Sequence, residues 1–278
     1  MPRSPSPGES VRPPALQQLL LDSVLEIAAL PAADRALELD VRENARRCET
    51  IVRAIEGAQA QRPRILEVGL GFGYVTTAAR AILGDRAELY ALEHPSRDYV
   101  GTDRLRRYLR RVDVQFATYD LTRDPIPWPE LTFDAIVLGE VIEHLSPERL
   151  PPLLTSLRAR LHAGGRLVVT SPNLQSLQRR LSFALGRSRL FDAAIPIPEA
   201  GGTFGHIRLY NRDEVAALFE HANLALVDWE WLNWEHVHVG RGGPARTAVW
   251  AAQRFLPRLV PSLATSWLAV GEPRAGRA

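Results

Sequence analysis

The stretch LEVGLGFG, residues 66–73, places three glycines at alternate positions directly after a short apolar run. The run has the length and composition of a buried strand, and YVTTAARAIL, residues 74–83, has the pattern of a helix. Glycines between a strand and a helix let the backbone approach a ligand and aim helix-terminal N–H groups at it. Tyr74 stands where the dinucleotide-binding motif has its last glycine, so the loop predicts a nucleotide-like ligand without matching that motif.

Strand patterns alternate with helix patterns on the carboxyl side of this loop. The predicted strands are 65–68, 88–93, 112–117, 133–138, 166–170, 224–238 and part of 262–270. Helices are predicted between them, at about 147–162 and 211–222 among others. The alternation predicts an α/β, Rossmann-like fold, with a seven-stranded, mostly parallel sheet and helices on both faces.

The remaining segments divide the chain into a tail, a cap and a main domain. Residues 1–13 are predicted to be a disordered tail, because prolines stand where a signal peptide needs an apolar stretch. Residues 14–60 hold two amphipathic helices that form the cap, and residues 61–278 form the domain. The strand-free segment at about 172–205 and the N-terminal helices are the predicted lid over the acceptor. The aromatic side chains are predicted either to line a pocket or to pack in the core: Phe183, Phe191, Phe204, Trp229, Trp231 and Trp234.

The composition argues against several classes of protein. All 34 basic residues are arginine, so no lysine is available for a Schiff base, a P-loop or a Tyr-x-x-x-Lys dehydrogenase site. The net charge of +2 gives little attraction for nucleic acid. No apolar run approaches about 18 residues, so no membrane span is expected. Cys48 is the single cysteine, which excludes an internal disulfide and makes a reducing cytoplasm the expected location.

Three acidic residues lie at or just after the ends of successive predicted strands. Glu67 precedes the first glycine by two positions, where a carboxylate can hold an ammonium group. Glu93 ends the second strand, where a carboxylate can bind both hydroxyls of a ribose. Asp120 follows the third strand and can accept a hydrogen bond from an adenine amino group. Their shared position favours one binding site over three separate solvated loop residues.

From about Arg64 onward, the sequence resembles the class I S-adenosylmethionine-dependent methyltransferases. The likeness rests on LEVGLGFG, LEHP, YDL, FDAIVLGEVIEHL and LHAGGRLVVTSPN, in the family's order and spacing. It looks closest to the branch that contains ubiquinone-type and bacterial small-molecule O-methyltransferases. The resemblance implies that the methionine part of the cofactor lies against Glu67, Gly69, Gly71 and Gly73. It also implies that Glu93 binds the ribose and that Asp120 and Leu121 lie beside the adenine.

A second polar group follows the predicted strand at 133–138. Glu140, Glu143 and His144 are spaced at i, i+3 and i+4, so on a helix beginning near Glu140 they would share one face. That face is expected to point into the cleft beyond the carboxyl ends of the sheet, where ligands bind in such folds. Acids in a first helical turn also favour the helix dipole, which would explain the glutamates but not the histidine.

Three interpretations of this group stay open. In the first, His144 is the general base for a substrate hydroxyl and Glu143 orients its ring. In the second, Glu140, Glu143, His144 and the distant His206 bind Mg²⁺, Mn²⁺, Fe²⁺ or Zn²⁺, which would lower the pKa of the hydroxyl to be methylated. This spacing is similar to the metal site of small-RNA terminal 2′-O-methyltransferases. In the third interpretation, the residues are structural.

The expected function is methyl transfer from S-adenosylmethionine to an oxygen of a small molecule, such as a sugar, a catechol or a natural-product intermediate. His144, Glu143 and His206 are the predicted catalytic residues, a divalent metal is a possible second cofactor, and no nucleic-acid partner is expected. Two alternatives are an NAD-dependent oxidoreductase and a non-catalytic scaffold. Tyr74 and the missing lysine argue against the first, and the three acids argue against the second.

Overall fold

The computed structural model describes residues 13–58, 60–121, 124–186, 195–197, 202–233 and 244–274. Residues 1–12 of the predicted tail lie outside these ranges, as do residues 187–194 and 198–201 of the predicted lid. Pro13, the last residue of the predicted tail, already begins the first helix. No helix within the described ranges combines the length and the apolar character that crossing a bilayer requires.

Helices and strands alternate along most of the described chain. The helices are α1 (Pro13–Ala28), α2 (Arg35–Glu56), α3 (Tyr74–Leu83), α4 (Asp103–Val112), α5 (Leu150–Ala159), α6 (Leu177–Ala184), α7 (Arg212–His221) and α8 (Pro244–Phe255). The strands are β1 (Arg64–Val68), β2 (Glu88–Glu93), β3 (Val114–Thr118), β4 (Phe133–Gly139), β5 (Leu161–Pro172), β6 (Ile195–Ile197), β7 (Gly202–Phe204), β8 (Leu224–Leu232) and β9 (Ser266–Pro273).

Seven of these strands form one mixed sheet in the order β3-β2-β1-β4-β5-β9-β8, while β6 and β7 pair separately. β2 runs parallel to both β1 and β3, with Val68 opposite Leu92 and Glu93 opposite Thr118. β9 runs antiparallel to both β5 and β8. The predicted Rossmann-like α/β fold with helices on both faces is confirmed. Because the carboxyl ends of parallel strands meet at one edge, the segments that follow β1, β2 and β3 start from the same edge.

The first of two compact units comprises residues 1–137 and 164–166. Its N-terminal helices pack on α3, where the hydroxyl groups of Ser23 and Thr77 lie 2.9 Å apart in a buried hydrogen bond. Tyr74 Oη donates to Asp40 Oδ2 at 2.7 Å, which ties α2 to the start of α3, directly after the glycine loop. The helices predicted as a cap therefore belong to the same compact unit as this loop.

The second compact unit comprises residues 138–163 and 167–278. Trp267 of β9 is fully buried in it, and its ring stacks on that of Trp229 in β8 with 4.8 Å between the centroids. Trp229 therefore contributes to packing within this unit. The strand predicted at 224–238 ends at Leu232 in the structure, and residues 234–243 lie outside the described ranges.

Candidate functional site

The glycine loop follows β1 in a run of left-handed backbone conformations. Gly69, Gly71 and Gly73 have φ angles of 85°, 55° and 72°, a region that favours glycine because other residues meet a steric clash there. A Cβ atom built on Gly71 would meet no atom within 4 Å, so this glycine faces open space that a ligand can enter. A Cβ on Gly73 would lie 2.2 Å from Tyr108 Oη, so Gly73 is needed for packing as well.

Glu93 joins the end of β2 to this loop. Its Oε2 accepts hydrogen bonds from the Gly71 N–H at 2.8 Å and from Tyr99 Oη at 2.6 Å, and its Oε1 accepts one from the His94 N–H at 2.8 Å. Burial and the neighbouring Glu93 raise the pKa of the Tyr99 phenol, which therefore stays protonated as a donor. Glu93 itself is 7% exposed, so three donors hold a buried carboxyl group beside the glycine backbone.

Glu67 is buried beneath the same loop. Its Oε2 accepts a hydrogen bond from the Thr76 N–H in the first turn of α3 at 3.0 Å. Burial raises its pKa to about 8, while the hydrogen bond from Thr76 and the charge of Arg47, a buried residue of α2, oppose this rise. The carboxyl group is therefore poised to change its charge near neutral pH, and a cationic ligand group beside it would favour the ionised form.

The loop after β3 lies beside the residue that follows Glu93. The Asp120 carboxylate is 3.8 Å from His94 Nε2, and the Asp120 N–H donates to Asp124 Oδ2 at 2.7 Å. Leu121, the next residue, is half-buried. The structure thus links Glu93 to Gly71 on one side and, through His94, to Asp120 on the other.

The segment after β4 differs from the prediction. The helix expected to begin near Glu140 is absent: β4 runs to Gly139, and only one 3₁₀ turn, Ile142–His144, follows. Glu140 has a left-handed φ of 59°, which breaks the regular backbone, while its N–H donates to the Thr170 carbonyl oxygen of β5 at 3.0 Å. The expectation of one helical face carrying Glu140, Glu143 and His144 is therefore wrong.

Backbone hydrogen bonds, and not a shared helical face, bring the predicted catalytic residues together. The chain at 205–208 returns to the 3₁₀ turn, where the Glu143 carbonyl oxygen accepts hydrogen bonds from the Ile207 and Arg208 N–H groups at 2.7 and 3.2 Å. Glu143, His144 and His206 then offer ligand atoms that all lie within 4.8 Å of one another, a group that does not include Glu140. The rings of His144 and His206 are 5.1 Å apart between centroids.

Glu143, His144 and His206 form a triad whose members differ in solvent exposure. The Glu143 side chain is fully buried, and its Oε2 accepts a hydrogen bond from Ser171 Oγ at 3.1 Å. His144 is exposed, and its Nδ1 is 3.0 Å from the Gly205 carbonyl oxygen. Since a carbonyl oxygen only accepts, Nδ1 carries the hydrogen, and in the neutral ring the lone pair is on Nε2.

This arrangement suits two kinds of chemistry. An exposed imidazole with its lone pair on Nε2 can take a proton from a hydroxyl. One carboxylate and two imidazoles also form a donor set that binds divalent transition metals. The hydrogen bond that His144 Nδ1–H donates and the one that Glu143 Oε2 accepts are of the kind that orient metal ligands. The residues present therefore fit a divalent cation.

Several residues of these sites carry no signal in the sequence. Tyr99 stands six positions after the end of β2, and Thr76 and Tyr108 lie within helices, so neither spacing nor residue type marks them. They became visible only through the atoms that they contact.

Comparisons with known proteins agree with the fold. A family described as "Methyltransferase domain" matches residues 41–228. A polyketide synthase-like protein of Preussia isomera is 28% identical over 176 residues, which are 60% of this chain; the chain spans only 8% of that relative's length. A SAM-dependent methyltransferase structure from Archaeoglobus fulgidus is 15% identical, with a TM-score of 0.52 and coverage of 82% of this chain and 94% of the other. The SAH-bound magnesium protoporphyrin IX methyltransferase of Synechocystis PCC 6803 is 11% identical, with a TM-score of 0.55 and coverage of 91% and 93%.

Proposed function

This chain belongs to the methyltransferase domain family, and we propose that it transfers the methyl group of S-adenosylmethionine to a hydroxyl oxygen of a small molecule. The observation that carries this proposal is the Glu93 carboxylate, which is buried and hydrogen-bonded to the N–H of Gly71 at the open part of the glycine loop. A nicotinamide cofactor is disfavoured by the family and by Tyr74 in the loop.

Each of the three acids has a role in binding the cofactor under this proposal. Glu67 holds the ammonium group of the methionine part, because its carboxyl group lies beneath the glycine loop beside the first turn of α3. Glu93 accepts hydrogen bonds from the ribose hydroxyls, and Asp120, with Leu121, contacts the adenine. The glycines support the proposal because Gly71 leaves room for the ligand against the backbone.

The chain's own contribution to the reaction is alignment and proton removal. The methyl carbon must lie in line between the sulfur and the attacking oxygen, with water excluded. His144 Nε2 then takes the hydroxyl proton, because its Nδ1–H is fixed on the Gly205 carbonyl. In the metal-assisted form of the proposal, Glu143, His144 and His206 hold a divalent cation. Such an ion lowers the pKa of a bound hydroxyl.

The acceptor is proposed to be a natural-product intermediate. The relative from Preussia isomera is a polyketide synthase-like protein, of which the chain spans 8%, and this likeness supports a polyketide-type acceptor. Ubiquinone-type chemistry remains within the same proposal, since its acceptors are also hydroxyl groups on small molecules. The net charge of +2 supports a small-molecule acceptor over nucleic acid.

Calorimetric titration with S-adenosylhomocysteine, before and after treatment with a chelator, tests the cofactor part of the proposal. We expect micromolar binding that the chelator does not change. Metal analysis of the wild type and of a Glu143→Ala, His144→Ala double variant tests the metal part: an ion present only in the wild type supports it, while the absence of metal under all loading conditions leaves His144 as the base. No binding of S-adenosylhomocysteine would overturn the methyltransferase proposal.

Incubation with S-adenosylmethionine labelled with ¹³C in the methyl group locates the methyl on the product. The chemical shift of the label separates transfer to oxygen from transfer to carbon or nitrogen. A label on carbon or nitrogen would contradict O-methylation while leaving the cofactor assignment intact.

The raised pKa of Glu67 predicts that cofactor binding depends on pH. At pH values below about 8, Glu67 is protonated in the free protein, and binding an ammonium group beside it expels that proton. The affinity for S-adenosylhomocysteine should therefore rise by up to about tenfold per pH unit between about pH 6 and 8 and level off above. Calorimetry in two buffers of different ionisation enthalpy would measure the released proton, and Glu67→Gln should abolish both effects. A wild-type affinity that is flat over this range would contradict the role of Glu67.

The raised pKa of Glu67 also makes the folded protein less stable as the pH rises. The folded-state pKa of Glu67, about 8, lies above the ordinary value of 4.5. Between these two pH values, the folded protein holds a proton that the unfolded chain has released. The contribution of Glu67 to the free energy of unfolding therefore falls as the pH rises from about 4.5 to about 8, and it is constant above. Denaturant unfolding of the wild type and Glu67→Gln at both ends of this window would show the difference.

A further inference from the structure

Exposed apolar side chains are concentrated in two short segments of the second compact unit, 181–185 at the end of α6 and 255–260 at the end of α8. The structure describes eleven exposed large apolar side chains, and six of them belong to these segments. The six are Leu181, Phe183, Leu185, Phe255, Leu259 and Val260. Leu185 is 71% exposed and Leu259 is 80% exposed. Single exposed apolar residues are ordinary, whereas a group of them marks an interaction surface, which we call the apolar patch.

The two segments of the apolar patch adjoin each other. α6 packs against α8. Arg180 Nη2 of α6 donates a hydrogen bond to Ser262 Oγ at 3.1 Å, and Ser262 lies in the 3₁₀ turn Pro261–Leu263 that directly follows Val260. Asn173, in the loop before α6, donates from Nδ2 to the carbonyl oxygens of Ser262 and Ala264 at 2.9 and 2.7 Å. The exposed side chains therefore belong to one region of the surface.

Two arginines with no carboxylate partner accompany the apolar side chains. Arg180 is exposed, and its Nε donates to the Gln175 carbonyl oxygen at 2.7 Å. Arg258 is exposed too, and its guanidinium lies over the ring of Phe255, 5.4 Å from the centroid. Within the described ranges, neither guanidinium forms an ion pair with a carboxylate. Arg208 of the same unit differs, because Glu214 lies 2.6 Å from it. Arg180 and Arg258 thus keep their positive charge beside the apolar patch.

The sequence around both segments lacks acidic residues. None occurs between Glu148 and Asp192, and none between Glu235 and Glu272. A second copy of the chain, docked on the patch about a twofold axis, would bring like charges together. An apolar surface with arginines and without acids instead complements a layer of anionic lipid headgroups over acyl chains.

We propose that the apolar patch binds the surface of an anionic phospholipid bilayer. Its apolar side chains enter the boundary between headgroups and acyl chains, while Arg180 and Arg258 contact lipid phosphates. Arginine suits this place, because its planar fork matches phosphate oxygens and its apolar stem lets the guanidinium stay at the level of the headgroups. The inference goes beyond the proposed methyl transfer and does not depend on it.

Sedimentation of the full chain with lipid vesicles tests the inference. One set of vesicles contains phosphatidylcholine alone, and the other contains equal parts of phosphatidylcholine and phosphatidylglycerol. We expect the anionic vesicles to bind the wild type about tenfold or more tightly, because two arginines lie near the headgroups. This preference should shrink as salt rises, since salt screens the attraction.

Substitutions of apolar residues test the insertion of the patch. Leu185→Ser combined with Leu259→Ser should weaken binding to the anionic vesicles by about tenfold, because two apolar side chains no longer leave water. Leu39→Ser combined with Val227→Ser is the matched control, since Leu39 and Val227 are exposed apolar residues outside the patch. The control should bind within about twofold of the wild type.

Substitutions of arginine test the charge contribution. Arg180→Gln combined with Arg258→Gln should remove most of the preference for anionic vesicles and change the binding to phosphatidylcholine little. Arg106→Gln combined with Arg274→Gln is the matched control, because these exposed arginines pair with Asp103 and Glu220. Thermal unfolding of each variant verifies that it is folded. The comparison of the two vesicle types with the wild type needs no variant, so it decides even where a variant unfolds.

Wild-type protein that binds neither vesicle type, or binds both equally, would overturn the inference, as would binding that both double variants leave unchanged. Sedimentation velocity without lipid examines the other occupant. A dimer that Leu185→Ser with Leu259→Ser dissociates, together with no binding to vesicles, would assign the patch to a second copy of the chain and refute the lipid surface.

Discussion

Glu93→Ala is expected to weaken the binding of S-adenosylhomocysteine by about a hundredfold or more. Two charge-assisted hydrogen bonds to the ribose would be lost, each worth roughly 1.5–3 kcal/mol, and 1.4 kcal/mol corresponds to a factor of ten. The variant also leaves the Gly71 N–H and Tyr99 Oη without the acceptor that fixes them, so the loop itself should lose order. Calorimetric titration of the purified variant measures the effect.

Two controls identify the cause of such a loss. Glu88→Ala removes another carboxylate of β2, one that pairs with Arg64, and should leave cofactor affinity within about twofold, because surface pairs contribute little. Tyr99→Phe removes a donor but keeps the carboxylate, so its effect should be much smaller than that of Glu93→Ala. Unchanged affinity in Glu93→Ala, with the protein folded, would show that the ribose binds elsewhere.

His144→Ala is expected to lower kcat for methyl transfer by roughly 10²–10⁴-fold, the range associated with a positioned general base. The reason is that the hydrogen bond from Nδ1–H to the Gly205 carbonyl oxygen leaves the lone pair of the neutral His144 ring on Nε2. The ring lies within the triad. Cofactor affinity should be retained, since under the proposal the glycine loop and Glu93 hold the cofactor. Single-turnover kinetics with saturating S-adenosylmethionine measure the step.

His162→Ala is the matched control, because His162 is an exposed histidine of β5 outside the triad. The two forms of the mechanism differ in the response of His206→Ala. If the triad holds a metal, His206→Ala should lose both the ion and the activity, whereas for a metal-free base it should retain most of the activity. Full turnover in His144→Ala would exclude both forms.

The arrangement around the glycine loop was largely predictable because its signals are local. A strand, a glycine loop and a helix follow one another within about twenty residues, and β1, β2 and β3 are parallel, so acids at their carboxyl ends meet at one edge. The positions of Glu67, Glu93 and Asp120 at the ends of these strands could therefore be predicted from the sequence alone. Their contacts with Thr76, Tyr99 and His94 could not, because those partners are fixed by side-chain packing.

The triad was only partly predictable. The residue types Glu143, His144 and His206 indicated a site, but the helical face assumed for Glu140 does not exist, because the left-handed backbone of Glu140 interrupts the regular dihedral angles that a helix needs. His206 reaches the group through backbone hydrogen bonds between Ile207 or Arg208 and Glu143, a contact over more than sixty positions that no local pattern encodes.

The sequence by itself determined the fold class, the glycine loop and the acids that follow the strands, since alternating apolar periodicity and glycine positions act over a few residues at a time. The tertiary structure alone decided which side chains of the second unit meet, and which arginine is neutralised. Arg208 and Arg180 are the same residue type in the sequence, yet Glu214 lies 2.6 Å from the first, while neutral oxygens hold the second. Charge balance depends on three-dimensional proximity, because the energy of an ion pair falls with the distance between the groups and not with their separation along the chain.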